Sequence, residues 1–350
     1  MPESFSGDAT WVEWATSAPD ADVDRRILDA QIAHLMSQPE ALGETQAIVA
    51  VHRGKVVAEA YGPGVDADST LISWSMAKSI THALVGITVG DGLLDVDAPT
   101  ALPEWSRDDR CRITTQHLLE MRSGLSWIED YVDDTSSDVI DMLFGSGSDH
   151  NAAFAIAKLL EHEPGSHWLY SSGTTNIVTH IVALAIGETT GSTDRMMKLL
   201  QQRLFDVLGM STATARFDSA GTFVGSSYVF ATARDFAKFG YLYLNDGTVN
   251  AKRVLPTNWV NHARNFSAYD PDNGFCYGSH WWTWPSEPDS LVALGYEGQY
   301  TWVIPHRDLV LVRLGKTDAA KRDALTQHLL SVIGAFPIST PRVGKSGESA

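Results

Sequence analysis

Ile72-Ser-Trp-Ser75-Met-Ala-Lys78-Ser-Ile80-Thr-His-Ala-Leu84-Val-Gly-Ile87-Thr-Val-Gly90 is the stretch on which the reading of this chain turns. Ile80, Leu84 and Ile87 recur at helical spacing, so Ile72 to Gly90 reads as a helix with one apolar face. Ser75 opens it, and Lys78 follows one turn later on the same side. A serine hydroxyl is a poor nucleophile until a base takes its proton. A lysine serves as that base only where burial or positive neighbours leave some of its amine neutral. A helix N-terminus also favours developing negative charge. Taken alone the pattern is weak, because a helix-opening serine and a surface lysine give the same letters.

Two later segments add weight. Pro164-Gly-Ser-His-Trp-Leu-Tyr170-Ser-Ser172-Gly-Thr-Thr-Asn176 leads into a helical run from Ile177 to Ile186. A tyrosine just before such a helix start is held in place and partly exposed. A phenol beside an ammonium can be pushed toward phenolate and can then relay a proton. Near the C-terminus, Leu294-Gly-Tyr296-Glu297-Gly298-Gln299-Tyr300-Thr-Trp-Val-Ile-Pro305 reads as a strand entered through glycines, where a substrate could lie close along a sheet edge. Other chemistries lack their signatures. There is no HExxH, paired CxxC or EF-hand loop. His150, His162 and His167 fit no common ligand spacing, and the nucleophile elbow GxSxG is missing. The expectation is no metal and no cofactor.

Outward from these segments, Asp22 to Gln38 reads as an amphipathic helix. Ala47 to His52 and Lys55 to Tyr61 flank Arg53-Gly54 as a β-hairpin. The middle is mostly helical, entered through a tight turn at Gly92 to Pro99. Strands follow at Gly278–Trp284, Leu291–Gly295, Tyr300–Ile304 and Leu309–Leu314, then a helix from Ala319 to Gly334. This order predicts an α+β fold: an antiparallel sheet flanked by N- and C-terminal helices, with an inserted, mostly helical lobe. The expected organisation is a loose arm over 1–20, a discontinuous sheet domain over 21–90 and 246–338, a helical domain over 91–245 and a disordered tail over 339–350.

Composition narrows the function. Of 350 residues, 44% are hydrophobic and 20% charged, as in a globular protein. No apolar run approaches the roughly 20 residues that span a bilayer, and the polar, acidic start does not resemble a secretion signal, so the expected location is cytoplasmic. Asp and Glu outnumber Lys and Arg 43 to 26, for a net charge of −17. Such a field repels phosphate backbones and anionic lipid, so the expected partner is a small molecule, with no nucleic acid and no membrane. A homodimer is compatible with the sequence. Cys111 and Cys276 fit no metal or disulfide framework and read as two reduced, buried thiols.

The three motifs, in this order and spacing, resemble the serine β-lactamase/penicillin-binding superfamily, and within it the class C-like esterases and 6-aminohexanoate-dimer hydrolases. The resemblance covers roughly residues 40 to 335. It includes Gly92-Leu-Leu-Asp-Val, Ile113-Thr-Thr-Gln-His-Leu-Leu-Glu-Met-Arg-Ser-Gly-Leu125 and Ala231-Thr-Ala-Arg-Asp-Phe-Ala-Lys-Phe-Gly240. It implies Ser75 as acyl-accepting nucleophile, Lys78 as its base partner and Tyr170 as the proton shuttle to the leaving group. It implies an oxyanion hole from the amides of Ser75 and Gln299. Ser172 stands where the family's YxN motif has asparagine, and Tyr296-Glu297-Gly298 where it has Lys-Thr-Gly. These positions are expected to touch substrate. Glutamate cannot supply the missing cation, which disfavours β-lactams and favours neutral or cationic substrates. Strand alternation leaves either side open to Glu297.

Glu129-Asp-Tyr131-Val-Asp133 resembles the loop that caps the cleft of 6-aminohexanoate-dimer hydrolases. That implies contact of Tyr131 with the substrate amide and an acidic residue, Asp141 or Asp138, for a substrate ammonium. A solvated acidic loop with one tyrosine packed inward is the competing reading. The expected activity is that of a serine hydrolase: a short-chain carboxylesterase first, then a linear-amide hydrolase of the nylon-oligomer type, a D-amino-acid peptidase and a β-lactamase. A non-catalytic binding protein on the same fold is the alternative of another class. A copy that has lost activity usually lacks Ser, Lys or Tyr, and all three are present.

Overall fold

A computed structural model describes residues 14–131, 137–287 and 289–338. The start of the arm, Val132 and Asp133 of the loop, and the tail over 339–350 lie outside the described residues. An eight-stranded antiparallel sheet organises the rest. Its strands are β1 (Glu44–His52), β2 (Lys55–Tyr61), β3 (Ala268–Tyr269), β4 (Cys276–Tyr277), β5 (Trp282–Thr283), β6 (Leu291–Gly295), β7 (Gln299–Ile304) and β8 (Leu309–Lys316). The order is β2-β1-β8-β7-β6-β5-β4-β3, so the early hairpin pairs with the last strand, Glu44 opposite Lys316 and His52 opposite Leu309. The β1–β2 hairpin turns on Arg53 and Gly54, both left-handed at φ 52° and 72°, the twist a tight hairpin requires.

Alternation along the strands assigns each face. Ile48, Ala50, Trp302, Ile304, Leu309 and Leu311 face one core. It is closed by α1 (Arg25–Ser37), through Leu28 and Leu35, and by the C-terminal helix, through Leu325, Leu329 and Val332. Val49, Val51, Val303, Val310 and Val312 face the other core. With both faces covered, the central strands read as nearly continuous apolar runs. On the second face lies α2 (Ala77–Gly90), buried from Ala77 through Thr88. Against it packs α3 (Ser172–Ala185), capped by the Ser171 hydroxyl, which accepts from Thr174 N at 3.0 Å. The helix α4 (Ala233–Leu244), inside the span read as the helical domain, lies on the sheet itself. Arg322–Ile333 completes the set as α5.

Several expectations are revised. Residues 14–20 are not loose: Thr16 bridges Val56 at the β2 edge, Trp14 packs edge-on against Tyr241, and Arg53 pairs with Asp20 at 2.9 Å. Within the inserted, mostly helical lobe, Thr214–Ala215 and Val229–Ala231 form a small sheet with Leu71–Ile72. The strand expected over Gly278–Trp284 breaks into a turn followed by β5, because His280 adopts φ 56° and turns its N–H to Leu119 O. Cys111 is exposed on a short helical turn among Asp and Arg, and Cys276 is half-buried, so neither is a core thiol. Among the described residues no helix is long and apolar enough to cross a membrane.

Gly240 is what lets α4 lie this close to the sheet. A Cβ there would stand 2.7 Å from Val310 Cγ1 and 2.9 Å from Thr301 Cγ2. Gly240→Val is therefore expected to destabilise the fold by about 1–3 kcal/mol through overpacking. The check is a lowered urea midpoint at unchanged slope; an unchanged midpoint would show that the helix can lift at no cost.

Candidate active site

Ser75 lies in a single 3₁₀ turn, Trp74–Met76, immediately before α2. The turn is anchored from behind. Ser73 N donates to Val229 O at 2.8 Å, and Ser73 Oγ accepts from Val229 N at 3.1 Å. Trp74 takes φ 43°, an unfavourable region for a side-chain-bearing residue. Ser75 stays half-exposed while Lys78 is only 2% exposed. Lys78 Nζ donates to Ser75 Oγ at 2.9 Å, to Ser172 Oγ at 3.0 Å and to Ser226 O at 3.1 Å. All three ammonium donors thus have acceptors. Burial pulls the Lys78 pKa down to about 8, against a smaller upward pull from the Glu129 carboxylate.

Tyr170 stands beside this group, with Lys78 Nζ 4.8 Å from its ring centroid. Trp282 stacks on the ring at 5.6 Å and Tyr277 meets it edge-on at 5.9 Å. The push toward phenolate that a neighbouring ammonium can give is outweighed here. Burial, then the Glu129 charge, raise the Tyr170 pKa far above its ordinary value, and a hydrogen bond with Ser75 only partly opposes them. Tyr170 is a neutral phenol here.

Glu129 is the residue that sequence reasoning missed. Its Oε1 accepts from Ser172 Oγ at 2.5 Å and from Tyr131 OH at 2.9 Å. Its Oε2 accepts from Trp127 Nε1 at 2.6 Å and from Ser172 N at 2.8 Å. The carboxylate therefore sits at the N-terminus of α3, where helix amides favour negative charge. The available signal was period two: Trp127, Glu129 and Tyr131 fall on one side of an extended segment. Ser172 joins Lys78 to Glu129. Tyr131 is drawn into the site, stacked on Tyr296 at 4.7 Å. Asp138 is not: it pairs with Lys158 and accepts from Ile128 N at 2.8 Å. Asp141 is exposed on its helix.

The third motif is a turn, which replaces the expected strand reading. Tyr296–Gly298 links β6 to β7, with Glu297 at φ 60° and Gly298 at φ 78°. Strand alternation therefore does not govern Glu297; its Oε2 accepts from Trp74 Nε1 at 3.3 Å, beside the turn that carries Ser75. Tyr296 meets Trp74 edge-on at 5.8 Å and carries Arg322 Cζ 5.3 Å from its ring centroid. At Gly295 a Cβ would lie 2.4 Å from Ser73 O, so glycine is what lets the hairpin approach the Ser75 segment. The Gln299 side chain is buried and committed elsewhere, donating to Tyr296 O at 3.0 Å and Gly315 O at 2.6 Å, which leaves its backbone amide as the group of interest. Among the described residues no cluster of His, Cys, Asp and Glu is arranged for a metal.

The structure thus brings Ser75, Lys78, Tyr170, Ser172, Tyr131 and the Tyr296–Gln299 turn together. A family model described as Beta-lactamase matches residues 28–332. The 6-aminohexanoate-dimer hydrolase of Paenarthrobacter ureafaciens is 26% identical over 307 residues, covering 82% of this chain and 77% of that protein. Among solved structures, a Bacillus anthracis protein provisionally named a 6-aminohexanoate-dimer hydrolase superposes with a TM-score of 0.73 at 21% identity, over 93% of this chain and 86% of the other. A class C β-lactamase in complex with cefoxitin superposes with a TM-score of 0.64 at 14% identity, over 89% and 98%. The fold is that of the serine β-lactamases, and the chain belongs to the Beta-lactamase family, as a hydrolase of the serine β-lactamase/penicillin-binding superfamily.

Proposed function

We propose that this protein is a serine hydrolase that works through an acyl-enzyme on short esters and linear amides, and not primarily as a β-lactamase. One observation carries the reading: a half-exposed serine whose Oγ lies 2.9 Å from the amine of a fully buried lysine with a pKa near 8. At pH 7 roughly a tenth of that amine is neutral. The neutral form takes the Ser75 proton as Oγ adds to the substrate carbonyl. The Ser75 amide and the Gln299 amide stabilise the oxyanion. Tyr170, a neutral phenol above Lys78, hands a proton to the leaving group and is reprotonated through the lysine. Water then reverses the sequence.

A 6-aminohexanoate-dimer hydrolase is the second reading, favoured by Tyr131 and by the 26% identity to a protein of that name. An amine leaves poorly until it is protonated, so a phenol beside the leaving nitrogen helps amides most. A glutamate held by Trp74, where a lysine would hold a carboxylate, argues against β-lactams as the main substrate. The intact Ser75, Lys78 and Tyr170 set argues against a non-catalytic binding protein.

A fluorophosphonate is expected to label Ser75. Ser75→Ala is expected to abolish hydrolysis of p-nitrophenyl acetate, with wild type much faster on that ester than on nitrocefin. Label on another serine, or nitrocefin as the better substrate, sinks the reading.

If neutral Lys78 is the base, kcat/KM rises with pH through a midpoint at about pH 8 and levels above it. The Glu129 carboxylate raises the lysine pKa, so its removal must lower it. The rising limb of Glu129→Gln is therefore expected at lower pH than in wild type; a shift to higher pH would rule out this electrostatic role.

Tyr131→Phe is expected to slow 6-aminohexanoate-dimer cleavage about 10- to 100-fold, the worth of one transition-state hydrogen bond, while p-nitrophenyl acetate stays within about threefold. Equal losses on both substrates would make Tyr131 structural.

A further inference from the structure

Arg313 in β8 lies behind the Tyr296–Gly298 turn and is fully buried. Among the described residues no carboxylate bonds it. Its five N–H groups go instead to neutral oxygens. Nε donates to Thr45 Oγ1 at 3.1 Å. Nη1 donates to Glu297 O at 3.2 Å and Gly298 O at 2.8 Å. Nη2 donates to Glu44 O and Thr317 Oγ1, both at 2.8 Å. Every donor the guanidinium has is used. A buried cation without a counter-charge is costly, and an apolar side chain would fill the same space more favourably.

The bonds show what the charge holds. Three successive carbonyls of the turn are pulled toward the protein interior. Tyr296 O accepts from Gln299 Nε2 at 3.0 Å. Glu297 O accepts from Arg313 and from Thr317 N at 2.9 Å. Gly298 O accepts from Arg313 alone among these donors. In a trans peptide the N–H points opposite to the C=O of the same unit. Holding these carbonyls therefore directs the amides of Glu297, Gly298 and Gln299 away from Arg313. Successive N–H groups in such a turn form an anion-binding concavity. The Tyr296 ring of the turn meets Trp74 and Tyr131, and the Ser73 carbonyl lies against Gly295, so the turn adjoins the surroundings of Ser75.

We infer that Arg313 is a positioning residue for the oxyanion hole: it grips the Glu297 and Gly298 carbonyls from behind so that the turn's amides, that of Gln299 among them, face the oxygen that becomes negative on the Ser75-bound carbonyl. It never touches substrate. This inference rests on the hydrolase reading above.

The test uses Arg313→Lys and Arg313→Met in the full chain. Lysine keeps the charge but cannot grip two carbonyls while holding Glu44 O and both threonines. Thermal unfolding and near-UV circular dichroism report folding. The informative readouts are kcat against KM on p-nitrophenyl acetate, and the inhibition constant of phenylboronic acid, whose tetrahedral adduct needs the same amides. Loss of a preorganised oxyanion donor costs about 100- to 1000-fold in kcat. Arg313→Met is expected to lose about 100-fold in kcat and Arg313→Lys at least 10-fold, with KM within about threefold and boronate affinity falling in parallel. A folded lysine variant with wild-type kcat and boronate affinity overturns the inference. So does a rise in KM at unchanged kcat. If the methionine variant does not fold, the lysine variant is read alone; if neither folds, Arg313 is a stability residue and the inference falls. Absence of Ser75 labelling in wild type would remove the hydrolase reading and this inference together, whereas normal wild-type labelling with an unaffected lysine variant removes this inference only.

Discussion

The Lys78 ammonium, shut away from water with its three donors on Ser75 Oγ, Ser172 Oγ and Ser226 O, is the constraint around which the site is assembled. A buried cation must find acceptors, and these come from three distant parts of the chain. Ser75 is delivered by the turn before α2, Ser172 by the first residue of α3, and Ser226 by the segment leading to the small sheet. The nearest opposing charge is held one bond away. Glu129 reaches Lys78 through the Ser172 hydroxyl and does not pair with it directly. A direct buried pair would stabilise the charged amine and remove its usefulness as a base. With a serine between them, the carboxylate offsets part of the burial cost and leaves burial the larger effect.

The sheet makes the other half of the site. Ser75 is fixed from the side of the small sheet, whereas the third-motif turn is fixed from β8. The two meet where Gly295 passes the Ser73 carbonyl. The turn is backed by Arg313, Gln299 and Thr317, and faced by Trp74, Tyr131 and Tyr296. Polar groups lie behind and aromatic rings in front, so the backbone is held by hydrogen bonds while the cleft wall stays mostly apolar. Such a division suits chemistry that needs fixed dipoles in a site with little water.

The α+β architecture was legible because its signals are local and strong. Short, β-rich apolar runs at Ala47–His52 and Leu309–Leu314, and an Arg-Gly turn after the first of them, leave few alternatives. Ser75, Lys78, Tyr170 and Ser172 were legible from spacing and resemblance. What escaped depended on contacts distant in sequence. Glu129 looked like one acid among several in a polar loop, since nothing in its neighbours announces Ser172, 43 residues away. The Tyr296–Gly298 turn looked like strand because its left-handed residues are held from β8, 15 and 16 residues on. Tyr170 looked like a phenolate because the ammonium beside it is visible in sequence, whereas its burial is not. Residues 14–20 looked loose because pairing of Thr16 with Val56 leaves no periodic trace.

The pairing of β1 with β8 has a consequence for synthesis. Glu44 and Lys316 are neighbours in the sheet, so the strands first out of the ribosome wait for almost the last. The segments of the helical lobe emerge together and can pack early, because their contacts close smaller loops. Ser75 and Lys78 are thus made and packed well before the Tyr296–Gly298 turn that adjoins them. A nascent or truncated chain would carry Ser75 beside Lys78 with nothing opposite to receive the oxyanion. On the proposed reading, hydrolytic competence would appear in one step, when β8 docks between β1 and β7, and a chain that stalls short of it would be chemically silent.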